Sequence, residues 1–437
     1  MYKPDYYSLL KQKISSKKAR ISVIGLGYVG LPLAVAFAKK GYFVYGYDTN
    51  KKRINSLYQG RRYITDIDPK IPLSLIDKGR LNPSSKEKIL ADSDAVIICV
   101  PTPLRKVKTP DISYIIQASN TIGRYLHKGQ LIILESTTYP GTSRDILLPI
   151  LEKKGLKEGK DFFLCFSPER VDPGNKKYPL EKISKIVGGI SRKSAYLTRI
   201  LYSKIINKVV PVSSIETAEI VKLLENTFRL VNIGLINEFA LACRRLGIDV
   251  WEVIDAAKTK PFGFMPFYPG PGIGGHCIPC DPVYLSWKAK ELGFQTKMID
   301  LASYTNRFMP KYVVKQAAGL LISKGIKLSH ARILIIGVTY KKDVKDLRES
   351  PALDIIELFR KKKARINYYD PLIPYLKVKG IKLRSVSLTK NVLKKYNCAV
   401  IVTGHASVDY NLIRKNSKLI FDTRNVYKRK YGNVVKL

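Results

Sequence analysis

Residues 19–48 read ARISVIGLGYVGLPLAVAFAKKGYFVYGYD, and this stretch decides the fold of the first part of the chain. An apolar run typical of a buried strand leads into a glycine loop, an alanine-rich helix and a second strand that ends at Asp48. A GxGxxG pattern alone is weak evidence, but strand, loop, helix, strand and terminal acid in this order are typical of a dinucleotide-binding βαβ unit. The cofactor-binding residues predicted in the loop are Gly25, Gly27, Tyr28, Val29 and Gly30.

Each glycine of the loop has its own physical task. Gly25 permits the tight turn, Gly27 lets a pyrophosphate approach the backbone, and Gly30 lets the helix pack on the strand. The N-terminus of the helix then faces the phosphates. Asp48 is placed to accept hydrogen bonds from the adenosine ribose, and its charge repels a 2′-phosphate, so we predict NAD rather than NADP. Arg53 is a contrary sign, because an arginine can serve a 2′-phosphate.

The composition is that of a globular protein with an unusual charge. The chain has 437 residues, too many for one core, so two or three domains are expected. Its formal net charge of +42 favours an anionic partner: nucleic acid, an acidic membrane or a phosphorylated ligand. The basic residues are spread along the whole chain, which favours a solvated, lysine-rich surface instead. Because the chain has no zinc-finger spacing and no RNA-binding aromatic motif, we expect no nucleic-acid partner.

The cysteines indicate a reducing compartment. Cys99, Cys165 and Cys398 lie in apolar, strand-like runs and Cys243 in a helical one, as buried free thiols do in reducing surroundings. Residues 21–38 imitate a membrane span, but their three glycines and a proline follow the phosphate-loop pattern. We therefore expect a cytoplasmic protein with no membrane partner.

Polar residues follow three further predicted strands, within residues 94–103, 129–142 and 161–174. Ligands of open parallel sheets gather outside the carboxyl ends of the strands, so these residues are candidates for a site. Turn formation and helix capping are the alternative roles for such residues. The candidates are Thr102, Ser136, Thr137 and Glu169.

The hydrophobic period changes after residue 210. Residues 216–247 carry apolar side chains at helical spacing without a proline, which predicts one long helix between two domains. Lys222 and Asn226 are four residues apart and share one face of that helix. Lys222 either extends its charge to solvent along an apolar surface or points with Asn226 into a site.

A second α/β pattern begins at residue 331 and repeats the order of strand, glycine turn, helix and strand. We therefore predict an α/β fold with two Rossmann-like parallel-sheet domains, joined by a long central helix and a helical connector. The predicted domains are an NAD-binding domain at 1–209, a central helical connector at 210–312 and a second Rossmann-like domain at 313–437. Basic residues near strand ends of the last domain suit a second phosphorylated ligand: Lys341, Lys342, Arg348 and Arg424.

Residues 268–285, YPGPGIGGHCIPCDPVYL, combine bare backbone, prolines and a cysteine. Their glycines let a ligand approach main-chain N–H groups, and we expect their four prolines to exclude a helix and stiffen a loop. Cys277 and Asp281 supply a nucleophile and a carboxylate, which covalent catalysis on a carbonyl requires. The alternative is a structural turn whose cysteine is a small buried apolar residue.

The motifs GLGYVGLPLA, ESTTYPGT, SPERVDPG, GGHCIPCDP, GVTYKKDVKDLRESP and FDTRNVY follow one another in this order. With them the chain resembles, over almost its whole length, the nucleotide-sugar dehydrogenases of the UDP-glucose/GDP-mannose dehydrogenase family. Residues 256–282 look most like the UDP-N-acetylglucosamine 6-dehydrogenase branch, which supplies uronic acids for surface polysaccharides. The sugar is left open, and UDP-glucose is the alternative. A basic nucleotide- or nucleic-acid-binding protein without catalysis is the alternative of another class.

The resemblance implies NAD-dependent oxidation of a UDP-sugar C6 hydroxyl to a carboxylate. Cys277 matches the nucleophile that forms a thiohemiacetal and then a thioester, Lys222 and Asn226 match the pair that stabilises oxyanion charge, and the groups handling water and protons match Asp281, Glu169 and Thr137. NAD-contacting positions match Asp48, Arg53, Thr102, Thr137 and Arg348. The predicted substrate-binding residues are Glu169, Lys222, Asn226, Tyr268, Gly270, Gly272, Gly274, Lys341 and Arg424. We expect a homodimer through the 210–312 helices.

Cys280 departs from the family pattern and creates the sequence CxxC with Cys277. With no second CxxC and four histidines in the chain, we expect no metal site. Two alternatives remain. Mild oxidation closes a reversible Cys277–Cys280 disulfide that protects the nucleophile, or Cys280 is a small apolar residue packed away from the site.

Overall fold

The computed structural model describes residues 5–64, 67–105, 107, 109–171, 178–378 and 380–437. The chain divides into two compact units, Met1–Glu225 with Val283–Phe294, and Asn226–Pro282 with Gln295–Leu437. The division into three domains stays a prediction. The end of the SPERVDPG motif, at 172–174, lies outside the described residues.

The first unit is built on an eight-stranded sheet in the order β3-β2-β1-β4-β5-β6-β7-β8. Its strands are β1 (Arg20–Ile24), β2 (Phe43–Tyr47), β3 (Leu81–Ser84), β4 (Ala95–Ile98), β5 (Gln130–Leu134), β6 (Phe162–Phe166), β7 (Lys185–Gly189) and β8 (Val209–Pro211). Its helices are α1 (Tyr6–Ser15), α2 (Gly30–Lys39), α3 (Lys51–Tyr58), α4 (Lys70–Asp77), α5 (Ser113–Tyr125), α6 (Leu148–Glu152) and α7 (Arg192–Tyr202).

The central strands of this sheet are buried on both faces. Leu131 and Ile133 of β5 belong to one apolar cluster, while Ile132 and Leu134 of the same strand belong to another. This alternation follows from the two-residue period of a strand, and continuous apolar runs are typical of parallel sheets covered on both sides. The predicted α/β class is confirmed.

One strand reverses direction in this sheet. β1 to β6 all run parallel to one another, whereas β7 runs antiparallel to β6, with Cys165 opposite Gly189 and Phe166 opposite Gly188. β8 is parallel to β7. The beginning of β7 therefore lies at the edge of the sheet where β6 ends. Residues at the amino end of β7 can thus lie beside those at the carboxyl end of β6, which the expectation for a parallel sheet does not include.

The second unit contains a parallel five-stranded sheet in the order β10-β9-β13-β14-β15 and an antiparallel pair, β11-β12. These strands are β9 (Arg332–Ile336), β10 (Arg365–Tyr369), β11 (Tyr375–Val378), β12 (Ile381–Arg384), β13 (Cys398–Ile401), β14 (Ile420–Asp422) and β15 (Val434–Lys436). The remaining helices of the chain are α8 (Ile215–Arg245), α9 (Val250–Ala257), α10 (Cys277–Glu291), α11 (Lys297–Ile322), α12 (Pro351–Lys361), α13 (Lys390–Leu393) and α14 (Tyr410–Asn416). The predicted long helix is α8, and the border between the units falls within α8 and within α10.

The expectation that prolines exclude a helix after Gly275 is wrong, because α10 begins at Cys277 and contains Pro279 and Pro282. The first N–H groups of a helix have no partner within it, so a proline at the third position loses no hydrogen bond. Pro282 lies deeper and removes one hydrogen bond of the helical ladder. No described helix has the length and apolar composition of a membrane span.

Candidate active site

The glycine loop of the first unit has the geometry of a phosphate-binding turn. Gly25 has φ +90°, and a Cβ there would lie 2.5 Å from the carbonyl oxygen of Cys99. A Cβ on Gly30 would lie 1.9 Å from the carbonyl oxygen of Gly25, whereas one on Gly27 would meet no atom within 4 Å. Gly25 and Gly30 are therefore required by packing inside the protein, and Gly27 borders open space that a pyrophosphate can fill. Tyr28 beside it is exposed.

Asp48 ties the second strand to this loop. Its Oδ2 accepts from the N–H of Leu26 at 2.8 Å and from Arg53 Nη1 at 3.0 Å, and its Oδ1 accepts from the N–H of Asn50 at 2.8 Å. A carboxylate offers about four acceptor positions, so one remains for a ribose hydroxyl. Arg53 is already neutralised by Asp48, which makes it a poor site for a 2′-phosphate. The residues present fit NAD.

The ends of β4 and β5 place the predicted threonines. Thr102 is buried, and its carbonyl oxygen accepts from the hydroxyl of Tyr284 at 3.0 Å. Ser136 is buried and donates to the carbonyl oxygen of Val100 at 2.8 Å, which is the turn-forming role. Thr137 is half-buried. The hydrogen bond from Tyr284 was not predicted. Tyr284 lies in residues 268–285, where a loop is expected, and no sequence pattern there indicates a contact with Thr102.

Glu169 is held in a fixed orientation after β6. Its Oε1 accepts from the backbone N–H groups of Arg170 and Val171 at 2.7 and 2.6 Å. Burial alone would raise the pKa of Glu169, but attraction to Lys185, the backbone hydrogen bonds and Lys222 outweigh it and leave the pKa below its usual value. Of the predicted residues, the first unit therefore brings Glu169 and Lys222 into one electrostatic environment.

Sequence reasoning missed two buried charges beside Glu169. Lys185, the first residue of β7, lies with its Nζ 3.6 Å from Glu169 Oε2 and 2.9 Å from Glu135 Oε2. Glu135 directly follows β5 in the ESTT motif. The available signal was a lysine at the start of an otherwise apolar strand. Its position beside Glu169 could be inferred only from the direction of β7.

The second unit contains the thiol and its neighbouring acid on one helix. Cys277 is the first residue of α10 and is exposed, and the N-terminus of a helix is a favourable place for a thiolate. Asp281, one turn later, is buried and accepts from Asn226 Nδ2 at 2.5 Å. Asn226 lies on α8 four residues after Lys222, so the continuous helix carries both on one side.

Cys280 is buried in α10, and burial raises the pKa of its thiol to about 12. It therefore stays protonated near neutral pH, which matches a packed apolar residue better than an attacking thiolate. All six cysteines are thiols in the structure. The reversible disulfide with Cys277 stays a hypothesis.

Asn237 of α8 fixes the glycine-rich stretch before α10. It is fully buried, its Oδ1 accepts from the N–H of Gly270 at 2.9 Å, and its Nδ2 donates to Asn306 Oδ1 of α11 at 2.8 Å. A Cβ on Gly270 would lie 2.5 Å from Nη1 of Arg424, so the guanidinium lies against the bare backbone of this glycine. The second unit thus brings the predicted Gly270 and Arg424 together.

The other glycines of the stretch pack against a neighbouring loop. Cβ atoms on Gly274 and Gly275 would lie 2.6 and 2.8 Å from the side chain of Tyr340, and Gly275 donates its N–H to the carbonyl oxygen of Arg348 at 2.9 Å. Gly272 has φ +130°, where side chains are strained. Tyr268 is half exposed and stacks on Trp251. These contacts explain the glycines at 272, 274 and 275 by packing.

The basic residues of the second unit differ in how they are held. Arg424 donates its Nε–H to the carbonyl oxygen of Val402 at 2.8 Å, and burial lowers its pKa to about 10, so this half-buried side chain remains a cation. Arg348 is exposed and pairs with Asp346 at 2.6 Å. Lys341 is half-buried. Arg348, which was predicted to reach the cofactor, belongs to this unit and not to the one with the glycine loop.

Comparison with known proteins decides the family. The UDP-glucose/GDP-mannose dehydrogenase family matches with its NAD binding domain at residues 19–206, its central domain at 216–307 and its UDP binding domain at 334–429. The chain belongs to this family. It is therefore an NAD-dependent oxidoreductase, and NAD is its cofactor. The alternative of a binding protein without catalysis is set aside.

The relatives of this family member include enzymes for two N-acetylated sugars. The UDP-N-acetyl-D-glucosamine 6-dehydrogenase of Pseudomonas aeruginosa is 39% identical over 359 residues, which are 82% of this chain and 84% of the relative. The UDP-N-acetyl-D-mannosamine dehydrogenase of Pyrococcus horikoshii is 39% identical over 421 residues, 94% and 96% of the two chains. The solved structure of the UDP-D-ManNAc dehydrogenase from Pyrococcus horikoshii superposes with a TM-score of 0.87 over 95% of this chain and 98% of the other, at 36% identity.

The loop geometry predicts opposite results for two neighbouring glycine substitutions. Gly30→Ala forces a Cβ against the Gly25 carbonyl, so we expect about 1–3 kcal/mol less free energy of unfolding, or no folded protein. Gly27→Ala has open space and should melt like the unaltered protein, yet bind NAD about tenfold more weakly, because its Cβ occupies the volume of the pyrophosphate. Thermal melting and calorimetric titration with NAD measure both effects. Unchanged NAD affinity in Gly27→Ala would contradict this assignment.

Proposed function

We propose that this dehydrogenase oxidises the C6 hydroxyl of a UDP-N-acetylhexosamine to the uronic acid. The observation that carries the proposal is the exposed Cys277 at the N-terminus of α10, with Asp281 held by Asn226 one turn further on. The similar relatives that act on UDP-N-acetyl-D-glucosamine and UDP-N-acetyl-D-mannosamine support an N-acetylated sugar. UDP-glucose is the second candidate, and the product would supply surface polysaccharide synthesis.

NAD, when bound, accepts a hydride in each of the two oxidation steps, so two NAD molecules are reduced for each sugar. Cys277 acts between the steps. Its thiolate attacks the C6 aldehyde and forms a C–S bond, and the resulting alkoxide takes up a proton to give a thiohemiacetal. Loss of the second hydride and of that hydroxyl proton leaves a thioester. Water then cleaves the C–S bond, giving the carboxylate and restoring the thiol. A thioester suits this role because it holds the acyl group and still hydrolyses readily.

The other predicted catalytic residues have separate tasks in this scheme. Lys222 and Asn226 stabilise the negative charge that develops on the C6 oxygen, a contribution worth about 3 kcal/mol for each donor. Glu169, with Thr137, orients water and accepts protons as a carboxylate, which its lowered pKa supports. Asp281 holds Asn226 through their hydrogen bond and takes part in handling water.

We assign UDP recognition to the second unit. The cationic, half-buried Arg424 lies against Gly270, where its positive charge favours an incoming phosphate, and Lys341 adds a second positive charge. Gly270, Gly272 and Gly274 stay candidates for substrate binding through their backbone, with Gly270 the one that lies against Arg424. Tyr268, whose ring stacks on that of Trp251, is the aromatic side chain that we assign to substrate binding.

A panel of UDP-sugars tests the reaction and its sugar. We expect the fastest NADH formation with a UDP-N-acetylhexosamine, at two NADH for each uronic acid formed. Cys277→Ser should form no uronic acid, because a serine alkoxide is much harder to generate than a thiolate. Cys243→Ser, a buried thiol on α8, is the matched control and should keep full activity. Uronic acid made by Cys277→Ser at the normal rate would exclude the covalent route.

Lys222→Met keeps the apolar stem of the lysine and removes only its charge. If the charge acts on the oxyanion, turnover should fall by about 100-fold while NAD affinity stays nearly unchanged. A lysine that merely extends to solvent would instead give normal turnover, with at most a lower melting temperature. Steady-state kinetics and NAD titration on the same preparation distinguish the two results.

We further propose a homodimer through the helices of the second unit. Large apolar side chains of α8 and α11 are exposed on it: Phe228, Leu235, Phe239, Leu246, Met298, Leu301 and Tyr304. The two helices meet where Gly234 approaches Ala302, and the exposed Leu235 and Leu301 are adjacent in sequence to these two residues. Apolar surface of this extent favours a protein contact, and a second copy is the partner we propose.

Replacing Phe239 with glutamate should convert the dimer to a monomer, because it places a charge within the apolar contact. Leu9→Glu is the control, since Leu9 is a similarly exposed apolar residue on α1 of the first unit. Light scattering after size-exclusion chromatography gives the masses. A monomeric unaltered protein, or a Phe239→Glu protein that stays dimeric, would contradict the proposal.

We also propose that the reaction takes place in the cytoplasm, which six cysteines present as thiols support.

A further inference from the structure

A chain of buried polar groups runs from Glu169 into the core of the first unit. Lys185 lies between two carboxylates, 3.6 Å from Glu169 and 2.9 Å from Glu135, and only 4% of its side chain is exposed. The hydroxyl of Tyr202 on α7 donates to Glu135, and the Lys185 ammonium lies 5.1 Å from the centre of the Tyr202 ring. Burying an ammonium costs several kcal/mol, so such a group is retained only where its charge is matched.

The reversal of β7 produces this arrangement. The antiparallel register pairs Cys165 with Gly189 and Phe166 with Gly188, and its continuation places Lys185 across from residue 169. Arg170 reinforces the alignment, because its Nη1 donates to the carbonyl oxygen of Ser184 at 2.6 Å. A strand parallel to β6 would have put its first residue at the opposite edge of the sheet. The antiparallel direction of β7 therefore places Lys185 beside Glu169.

The charges that face this group come from five elements. Glu135 follows β5, Glu169 follows β6, and Cys99 follows β4. Tyr202 belongs to α7, and Lys222, which belongs to α8, also attracts Glu169. Burial raises the pKa of Tyr202 and of Cys99 well above their usual values, so both stay neutral. The two lysines and two glutamates thus decide the charge state of the cluster.

We propose that Lys185 is a positioning residue that holds Glu169 as an oriented carboxylate for the water-handling step, with Glu135 and Tyr202 as its buried support. The proposal rests on the proposed function, because it assigns the water-handling step to Glu169. Two backbone N–H groups hold one oxygen of Glu169, and the Lys185 charge attracts the other. Such a carboxylate remains a proton acceptor at pH values where an unassisted buried glutamate would be protonated.

Glu135 and Glu169 have pKa values that are shifted in opposite directions. The pKa of Glu135 is raised to about 7, mainly by burial, whereas the pKa of Glu169 is lowered. Of the two carboxylates beside Lys185, Glu169 is thus the one that the surroundings favour in its charged form.

The pH profile of turnover tests the proposal. Activity that needs the Glu169 carboxylate is lost as the pH falls, and without the Lys185 charge this loss should begin at higher pH. For Lys185→Met we expect kcat on the acid limb, relative to kcat at pH 8, to be about tenfold lower than in the unaltered enzyme. Lys185→Arg keeps the charge and should restore most of the profile. Lys13→Met is the matched control, since Lys13 pairs with Asp94 at 2.6 Å in the same unit, and it should leave the profile unchanged.

A double variant distinguishes a positioning role from a structural one. Lys185→Met with Glu135→Gln removes the buried pair together, so no unmatched charge is left between β5 and β7 and folding is favoured. If Lys185 serves only to neutralise Glu135, the double variant should regain the normal acid limb, and the proposal is overturned. If Lys185 acts on Glu169, the double variant keeps the displaced limb of the single variant, and it carries the test should Lys185→Met not fold.

Glu169→Gln separates this inference from the function on which it rests. An acid limb that persists in Glu169→Gln would show that another group accepts the proton, and the assignment of Glu169 would fail. If the limb disappears in Glu169→Gln but is unchanged in Lys185→Met, Glu169 keeps its role and only the inference about Lys185 is wrong.

Discussion

A buried carboxylate at the end of a second strand fixes the glycine turn in each half of this protein. Asp48 accepts from the N–H of Leu26 at 2.8 Å, and Asp370 accepts from that of Val338 at 2.7 Å. The turn glycines correspond too, because Cβ atoms on Gly25 and Gly337 would lie 2.5 and 2.3 Å from carbonyl oxygens after the neighbouring strands. The two turns differ in their surroundings: the first leaves open space at Gly27, and the second unit has the cation Arg424 against Gly270.

The sequence predicted those features that depend on local pattern. The GLGYVG loop with Asp48, the long helix α8 and the repeated α/β order each follow from spacing within one stretch, and the structure has all three. Two features were not predicted from spacing. The direction of β7 is set by pairing with β6, so Lys185 could not be placed. The start of α10 was misjudged because a proline in the first helical turn costs no hydrogen bond.

Buried polar groups fix the positions of exposed ones in both units. Asn237 is fully buried and holds Gly270, whose backbone lies against Arg424. Asn226 holds Asp281, one turn from the exposed Cys277. In the first unit, Lys185 and Glu135 lie behind Glu169. Each inner group pairs with a neighbour in the site, so its loss should affect both folding and the site.

Burial also explains why one thiol among six is suited to covalent chemistry. Burial raises the pKa of Cys165, Cys280 and Cys398 to about 12, so these thiols remain protonated and out of reach of a substrate. Cys277 is the exposed cysteine, and it begins a helix whose N-terminus favours a negative charge. A nucleophile needs both access and ionisation. The fold supplies access by ending the glycine-rich stretch at Cys277, and it keeps the competing thiols in the core, where neither an aldehyde nor an oxidant meets a thiolate.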